Sequence, residues 1–175
     1  IERDVRQITQ VQDLETFQRF VHLCAGRTGQ LLNLSSLATE CGITHNTAKA
    51  WISVLEASYL VFLLRPHHAN FNKRLVKTPK LYFYDVGLVS WLLGIQQPEQ
   101  LATHPLRGNI FETLIVSELV KTYFNQTEKP PMSFWRDSAG NEVDILIDQG
   151  GKLRPIEIKS GRTLTRDSFA GLEKW

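Results

Sequence analysis

Asn141-Glu142-Val143-Asp144-Ile145-Leu146-Ile147, followed by Pro155-Ile156-Glu157-Ile158-Lys159, decides how this chain is read. Both segments are short, apolar and rich in β-branched residues, the composition of a strand. Both also carry charges that a buried strand ordinarily excludes. Side chains alternate across a strand, so Glu157 and Lys159 share one face while Ile156 and Ile158 take the other. Pairing of the two strands would set Asp144 beside Glu157. Two carboxylates and an ammonium would then converge: acidic oxygens for a hard divalent cation such as Mg²⁺, and a lysine for a phosphate or an attacking water.

Working outward, Met132-Ser133-Phe134-Trp135-Arg136 reads as another strand and residues 137–141 as a tight turn. Residues 109–124 read as a helix that is apolar almost all round, so it should be covered on more than one side. Within it, Glu112 shares a face with Val116, Leu119 and Tyr123, an unusual place for a carboxylate. Glu142 shares a strand face with Asp144 and is expected to support it. Arg136 is expected to contact phosphate or to pair with Asp144 or Glu142. Glu118 is expected to make a structural contact, and Asp148 to sit exposed in a turn.

The first half follows another pattern. Asp13 caps a helix over residues 14–25, closed by Gly26. In Leu34-Ser35-Ser36-Leu37-Ala38-Thr39-Glu40-Cys41-Gly42-Ile43-Thr44, a short helix, a glycine and a fresh cap form a helix-turn-helix. The second helix, residues 45–58, turns Ala48, Trp51 or Ile52, and Leu55 inward, leaving His45, Asn46, Lys49 and Ser53 outside. Strands over residues 59–64 and 81–84 flank a basic stretch that includes Lys73, Arg74 and Lys77; strand, basic loop and strand after a helix-turn-helix make a winged helix. DNA would then meet His45, Asn46 and Lys49 in the major groove, and Lys73, Arg74 and Lys77 along the backbone. A helix over residues 86–94 and a polar linker over 96–107 complete this half, with Trp51 and Trp91 expected in the core.

Composition bounds these readings. With 42% hydrophobic and 22% charged residues the chain is globular, and a net charge of +2 is too small to argue for nucleic acid by itself. No apolar run reaches membrane-spanning length and no signal peptide is visible, so a cytoplasmic location with no membrane partner is expected. Cys24 and Cys41 have no metal-ligand spacing and read as buried thiols of a reducing compartment. The chain opens on Ile1-Glu2-Arg3-Asp4 and reads as part of something longer. Gly150-Gly151-Lys152 continues into Leu153 and is a hairpin turn rather than a phosphate-cradling loop, so no ATP site is expected here.

A helix with Glu112, a hairpin with Asp144 and a strand with Glu157-Ile158-Lys159 resemble the PD-(D/E)xK nuclease superfamily, the restriction-endonuclease-like fold. Within it, Gly108-Asn109-Ile110-Phe111-Glu112, Phe134-Trp135-Arg136-Asp137-Ser138, Gly140-Asn141-Glu142-Val143-Asp144 and Ile156-Glu157-Ile158-Lys159-Ser160-Gly161 resemble DUF4143. In that prokaryotic family the domain follows an AAA-type ATPase, and Glu2-Arg3-Asp4-Val5 resembles the junction between the two. The likeness covers nearly the whole chain. It implies Glu112, Asp144, Glu157 and Lys159 as a catalytic set, Mg²⁺ held by Asp144, Glu157 and Glu112, DNA as partner, and an N-terminal ATPase domain on the same polypeptide.

The expected fold is thus α+β or α/β: a winged helix-turn-helix over residues 1–95, a linker over 96–107, and a restriction-endonuclease-like α/β domain with a mixed sheet over 108–175, truncated at its C-terminus. The expected function is a DNA-binding, nuclease-like region of an AAA-type ATPase acting as a Mg²⁺-dependent phosphodiesterase. The alternatives are a non-catalytic interaction or regulatory module, in which Glu157–Lys159 or Asp144–Lys159 is merely a partly buried ion pair, and a winged-helix transcription regulator.

Overall fold

The strand Lys80–Phe83 organises the molecule, because all four of its residues are buried. A strand covered on both faces must satisfy two cores, and its alternation divides the work. Leu81 and Phe83 join one apolar cluster; Tyr82 joins a second. A computed structural model describes residues 13–67, 76–161, 163 and 166–175.

The first cluster is helical. Helix α1, Leu14–Ala25, starts where the Asp13 carboxylate accepts the Thr16 amide at 2.9 Å. Helix α2, Leu34–Cys41, ends at Gly42, whose φ of 69° is left-handed and lets the chain turn sharply into α3, His45–Ala57. Thr44 caps α3 through the Thr47 amide. Ala48, Trp51, Ile52 and Leu55 are buried, with the Trp51 ring edge-on to Phe17 at 5.1 Å. Strands β1 (Gln30–Leu31), β2 (Val61–Leu64) and β3 (Lys80–Phe83) form an antiparallel sheet in the order β1-β3-β2. Cys24 and Cys41 are free thiols in this core, and burial pushes both thiol pKa values up.

Helix α4, Val86–Leu92, follows the sheet. Trp91 does not enter the core: it is 71% exposed on a helix whose buried residues are Val89 and Leu92. The expected linker contains a helix, α5, Pro98–Thr103. Pro98 suits the first turn, and the Gln100 side chain accepts the Gln97 amide at 2.9 Å.

Helix α6, Arg107–Asn125, then packs against β3 and α4. A second antiparallel sheet, in the order β4-β5-β6, is formed by Met132–Arg136, Glu142–Gln149 and Lys152–Ile156. Asp137 holds the first hairpin by accepting the Ala139 and Asn141 amides at 2.9 Å each. Asp148 holds the second by accepting the Gly151 amide at 2.7 Å. A 3₁₀ turn, Arg166–Phe169, leads into α7, Ala170–Lys174.

The architecture is α+β with two small antiparallel sheets among the described residues. A mixed sheet was expected; among the described residues, parallel pairing is confined to one bridge between Pro66 and Phe134. Both hairpin connections are short, and a parallel pair needs a crossover of about a dozen residues. Glu157 and Lys159 also lie beyond β6, which ends at Ile156 rather than running to residue 159. The Gly150-Gly151 turn starts the strand at Lys152, and the ladder ends where the Asp144 carboxylate takes the Ile158 amide at 2.7 Å.

The second cluster joins the two sheets. Leu64, Tyr82, Val116, Phe134, Ile145 and Ile147 are its buried members, drawn from β2, β3, α6, β4 and β5. Replacing the fully buried Phe134 with alanine should cost about 3–5 kcal/mol. Urea unfolding followed through Trp51 and Trp135 should show one transition displaced as a whole; displacement of the Trp135 signal alone would mean that the two sheets unfold independently.

Candidate functional site

Segments far apart in sequence meet at the junction of the sheets. Helix α6 brings Glu112, β5 brings Glu142 and Asp144, and the chain leaving β6 brings Glu157 and Lys159. Strand β3 adds Lys80 and Tyr82. The Lys80 ammonium donates to Glu112 Oε1 at 2.9 Å and pairs with Glu142. The Tyr82 hydroxyl donates to the same Glu112 oxygen at 2.5 Å, and Arg136 donates to Glu142 Oε2 at 2.9 Å. Carboxylate oxygens of Glu112, Glu142 and Asp144 lie within 4.8 Å of one another.

The register of β5 and β6 pairs Ile145 with Ile156, which carries Asp144 to the level of Glu157. Glu157 pairs with Lys159 through Oε1, while its Oε2 is buried without a hydrogen-bond partner among the described residues. The backbone of α7 lies close by: a Cβ at Gly171 would stand 1.8 Å from the Glu142 carbonyl oxygen, so only glycine permits this approach. An open cleft of about 390 Å³ reaches the other side of the cluster, lined by Lys80, Glu112, Arg136 and Glu142 with residues of β1.

Burial and neighbouring charge pull the titrations in opposite directions. Desolvation raises the Glu112 pKa above its ordinary value against the lowering effect of Lys80. Desolvation likewise raises Asp144 and Glu157, opposed chiefly by the Ile158 amide in the first case and Lys159 in the second. Burial alone would lower Lys80, yet Glu112 and Glu142 outweigh it and hold the ammonium above the usual lysine range. Lys159 is also raised: burial opposes the shift, and Glu157 and Asp144 drive it. Burial, reinforced by Glu112, keeps Tyr82 protonated. The cluster therefore sets Glu112, Glu142, Asp144 and Glu157 against Lys80, Arg136 and Lys159.

These residues fit a hard divalent cation. Carboxylate oxygens are the donors such ions take, and Glu157 Oε2 is a buried acceptor that no described residue satisfies. The grouping differs from the one read in sequence: the closest three carboxylates are Glu112, Glu142 and Asp144, with Glu157 against the Lys159 side. Lys80 and Tyr82 had no place in the sequence reading. Their signal was the alternation Lys80-Leu81-Tyr82-Phe83, with two polar-ended side chains on one face of an otherwise apolar strand. Arg136 pairs with Glu142, and Glu118 forms an exposed pair with Lys121 at 2.6 Å.

Of the residues assigned to DNA, His45, Asn46 and Lys49 are exposed on α3, and Lys77 is exposed just before β3. Lys73 and Arg74 lie outside the described residues. No helix among the described residues is long and apolar enough to cross a membrane.

Comparison with known proteins divides the chain. It is 29% identical over 163 residues to Uncharacterized protein Rv2008c of Mycobacterium tuberculosis and to Uncharacterized protein Mb2031c of Mycobacterium bovis, covering 93% of this chain and 36% of each relative. The chain thus spans about a third of the length of these curated relatives. No solved structure matches. The likeness to DUF4143, expected over nearly the whole chain, is met at residues 107–175, where the model of that domain of unknown function matches. Residues 1–99, more than half of the chain, match a different domain of unknown function, and on that match the chain belongs to the DUF8612 family.

Proposed function

We propose that this chain is the DNA-handling region of a larger ATP-driven protein, in which a winged helix-turn-helix delivers nucleic acid to a nuclease-like acidic site. The observation that carries the reading is the meeting of Asp144, Glu157 and Lys159 beside Glu112, with Glu157 Oε2 buried and unsatisfied. Asp144 and Glu157 would hold Mg²⁺, with Glu112 as a further carboxylate at the same junction. The ion, when bound, would lower the pKa of a coordinated water and neutralise charge on a phosphodiester. Lys159 would then orient that water or the phosphate, held for either task by Glu157 and Asp144. The glycine contact of α7 on β5 packs the last helix against the Glu142 backbone.

Support for the winged helix comes from the order of α2, the left-handed Gly42 turn, α3 and the β2–β3 pair, with His45, Asn46 and Lys49 sharing one exposed stretch. An ATPase partner on the same polypeptide accords with the much greater length of the relatives. The competing reading is a non-catalytic interaction module. It is favoured by Lys80, which already neutralises part of the cluster from within the protein.

Three measurements test these readings. Calorimetric titration with Mg²⁺ or Mn²⁺ should show binding that Asp144→Ala abolishes. Cleavage of DNA by the ATPase-containing protein should disappear in Asp144→Ala and in Lys159→Ala; a protein that binds no divalent cation and cuts neither DNA nor RNA would leave the interaction module. Lys49→Glu should weaken DNA binding and flatten its salt dependence, the slope falling by roughly one per lost phosphate contact if Lys49 touches the backbone; an unchanged slope and affinity would remove α3 from the interface.

A fourth test concerns pH. Asp144 has a raised folded-state pKa, so the native protein binds more protons than the unfolded chain between the ordinary aspartate value and the raised one. Its contribution to stability therefore falls as pH rises through that window. The metal-free Asp144→Asn variant should be more stable than the parent at neutral pH, with the difference shrinking as pH falls toward about 4. A difference in urea midpoint that stays constant from pH 7 to pH 4 would contradict this origin.

A further inference from the structure

Lys80 is buried to 2% exposure, yet it belongs to the first sheet and reaches a carboxylate of α6 and one of the second sheet. Its ammonium contacts Glu112 and Glu142, two of the three groups whose oxygens lie within 4.8 Å of one another. The Phe134 ring, 5.6 Å from Nζ, covers another side. The open cleft beside β1 is lined by the same pair of glutamates. A single positive charge is thus lodged where divalent charge would be drawn.

We infer that Lys80 is a built-in counter-ion that competes with a divalent cation for the Glu112 and Glu142 carboxylates, so that metal loading of the acidic site and the seating of β3 against it are coupled. This rests on the metal-binding reading given above, and extends it to Glu142, which has a carboxylate oxygen within 4.8 Å of those of Glu112 and Asp144. Two positive charges cannot both be held at full strength by the same carboxylate oxygens, since their mutual repulsion grows as the surroundings exclude water. When Mg²⁺ enters, the ammonium loses part of its hold on Glu112 and Glu142, and β3 loses an anchor to α6 and β5. When the ion leaves, Lys80 re-forms both pairs. Lys80 is a positioning residue: it acts on the site through the glutamates rather than by touching a substrate. The strand it belongs to is continuous with the sheet behind α3, so occupancy of the acidic site would alter the support of the nucleic-acid-binding half. Lys159 differs, being 40% exposed and paired with one carboxylate.

The test compares Lys80→Met, Lys80→Arg and the parent by Mn²⁺ calorimetry and by thermal unfolding with and without Mn²⁺. Lys80→Met should bind Mn²⁺ at least about tenfold more tightly, because an opposing charge has gone. Its melting temperature should be lowered without metal and recovered with it. Lys80→Arg should remain near the parent. A merely structural lysine predicts the reverse for Lys80→Met, weaker binding with no recovery, and that result overturns the inference while leaving metal binding intact. Failure of parent and variant alike to bind Mn²⁺ overturns the metal reading and the inference together. Binding by Lys80→Met alone supports the inference, the ammonium then excluding the ion outright.

If Lys80→Met does not fold, the parent protein decides. With ¹⁵N-labelled lysine, the protected Lys80 ammonium signal should shift during Mg²⁺ titration at the concentration where calorimetry shows binding. A signal unmoved at saturating Mg²⁺ overturns the proposed competition.

Discussion

The buried ammonium of Lys80 is the constraint on which the junction between the two sheets depends. Removing a charge from water costs several kcal/mol, and only close, well-directed partners offset it. Here Glu112 from α6 and Glu142 from β5 both reach the same nitrogen, and each has another partner in Tyr82 or Arg136. Together they offset the burial of Lys80 on a strand covered on both faces. The apolar members of β3 draw the strand inward, and the acids make that burial tolerable for its first residue. The position of α6 and of the second sheet against β3 is therefore fixed by polarity as well as by the apolar cluster around Phe134.

The same arrangement explains the raised acids. Four carboxylates gather with three cations, and desolvation is the leading influence on Glu112, Asp144 and Glu157. The Ile158 amide and Lys159 lessen the strain at Asp144 and Glu157 without removing it. An acid cluster of this kind has two ways to relax, by taking up protons or by accepting an external cation. Which of them the protein uses distinguishes a structural cluster from a working site.

Local features were legible in the sequence. Asp13, Gly42 and Thr44 act through neighbours within a few residues, so the bounds of α1, α2 and α3 could be read nearly as they stand. The meeting of Asp144 and Glu157 was legible for a related reason: a two-glycine turn fixes the register of the hairpin that carries them. The end of β6 was not, because it is set by a side chain, Asp144, replacing the backbone acceptor that would have continued the ladder. The helix at Pro98 was concealed by its polarity, which resembles a linker unless the Gln97–Gln100 contact is considered. Trp91 was assigned to the core by residue type, while the burial of α4 is decided by which face Val89 and Leu92 present.

Lys80 was the costliest omission, and the reason is physical. It follows a basic stretch and precedes an apolar strand, so its sequence neighbours give it equally to loop or sheet. Its burial depends on Glu112, 32 residues later, and on Glu142, another 30 beyond. No periodicity connects positions so far apart; only packing of α6 and β5 on the same face of β3 brings them together. The acidic residues could be recognised because they violate the composition of their own elements, a carboxylate in an apolar helix and two charged strands. Their counter-ion violates nothing locally. A site assembled from separate elements is thus most visible in sequence where charge is out of place, and least visible where the compensating charge sits at the edge of an element that could belong to either environment.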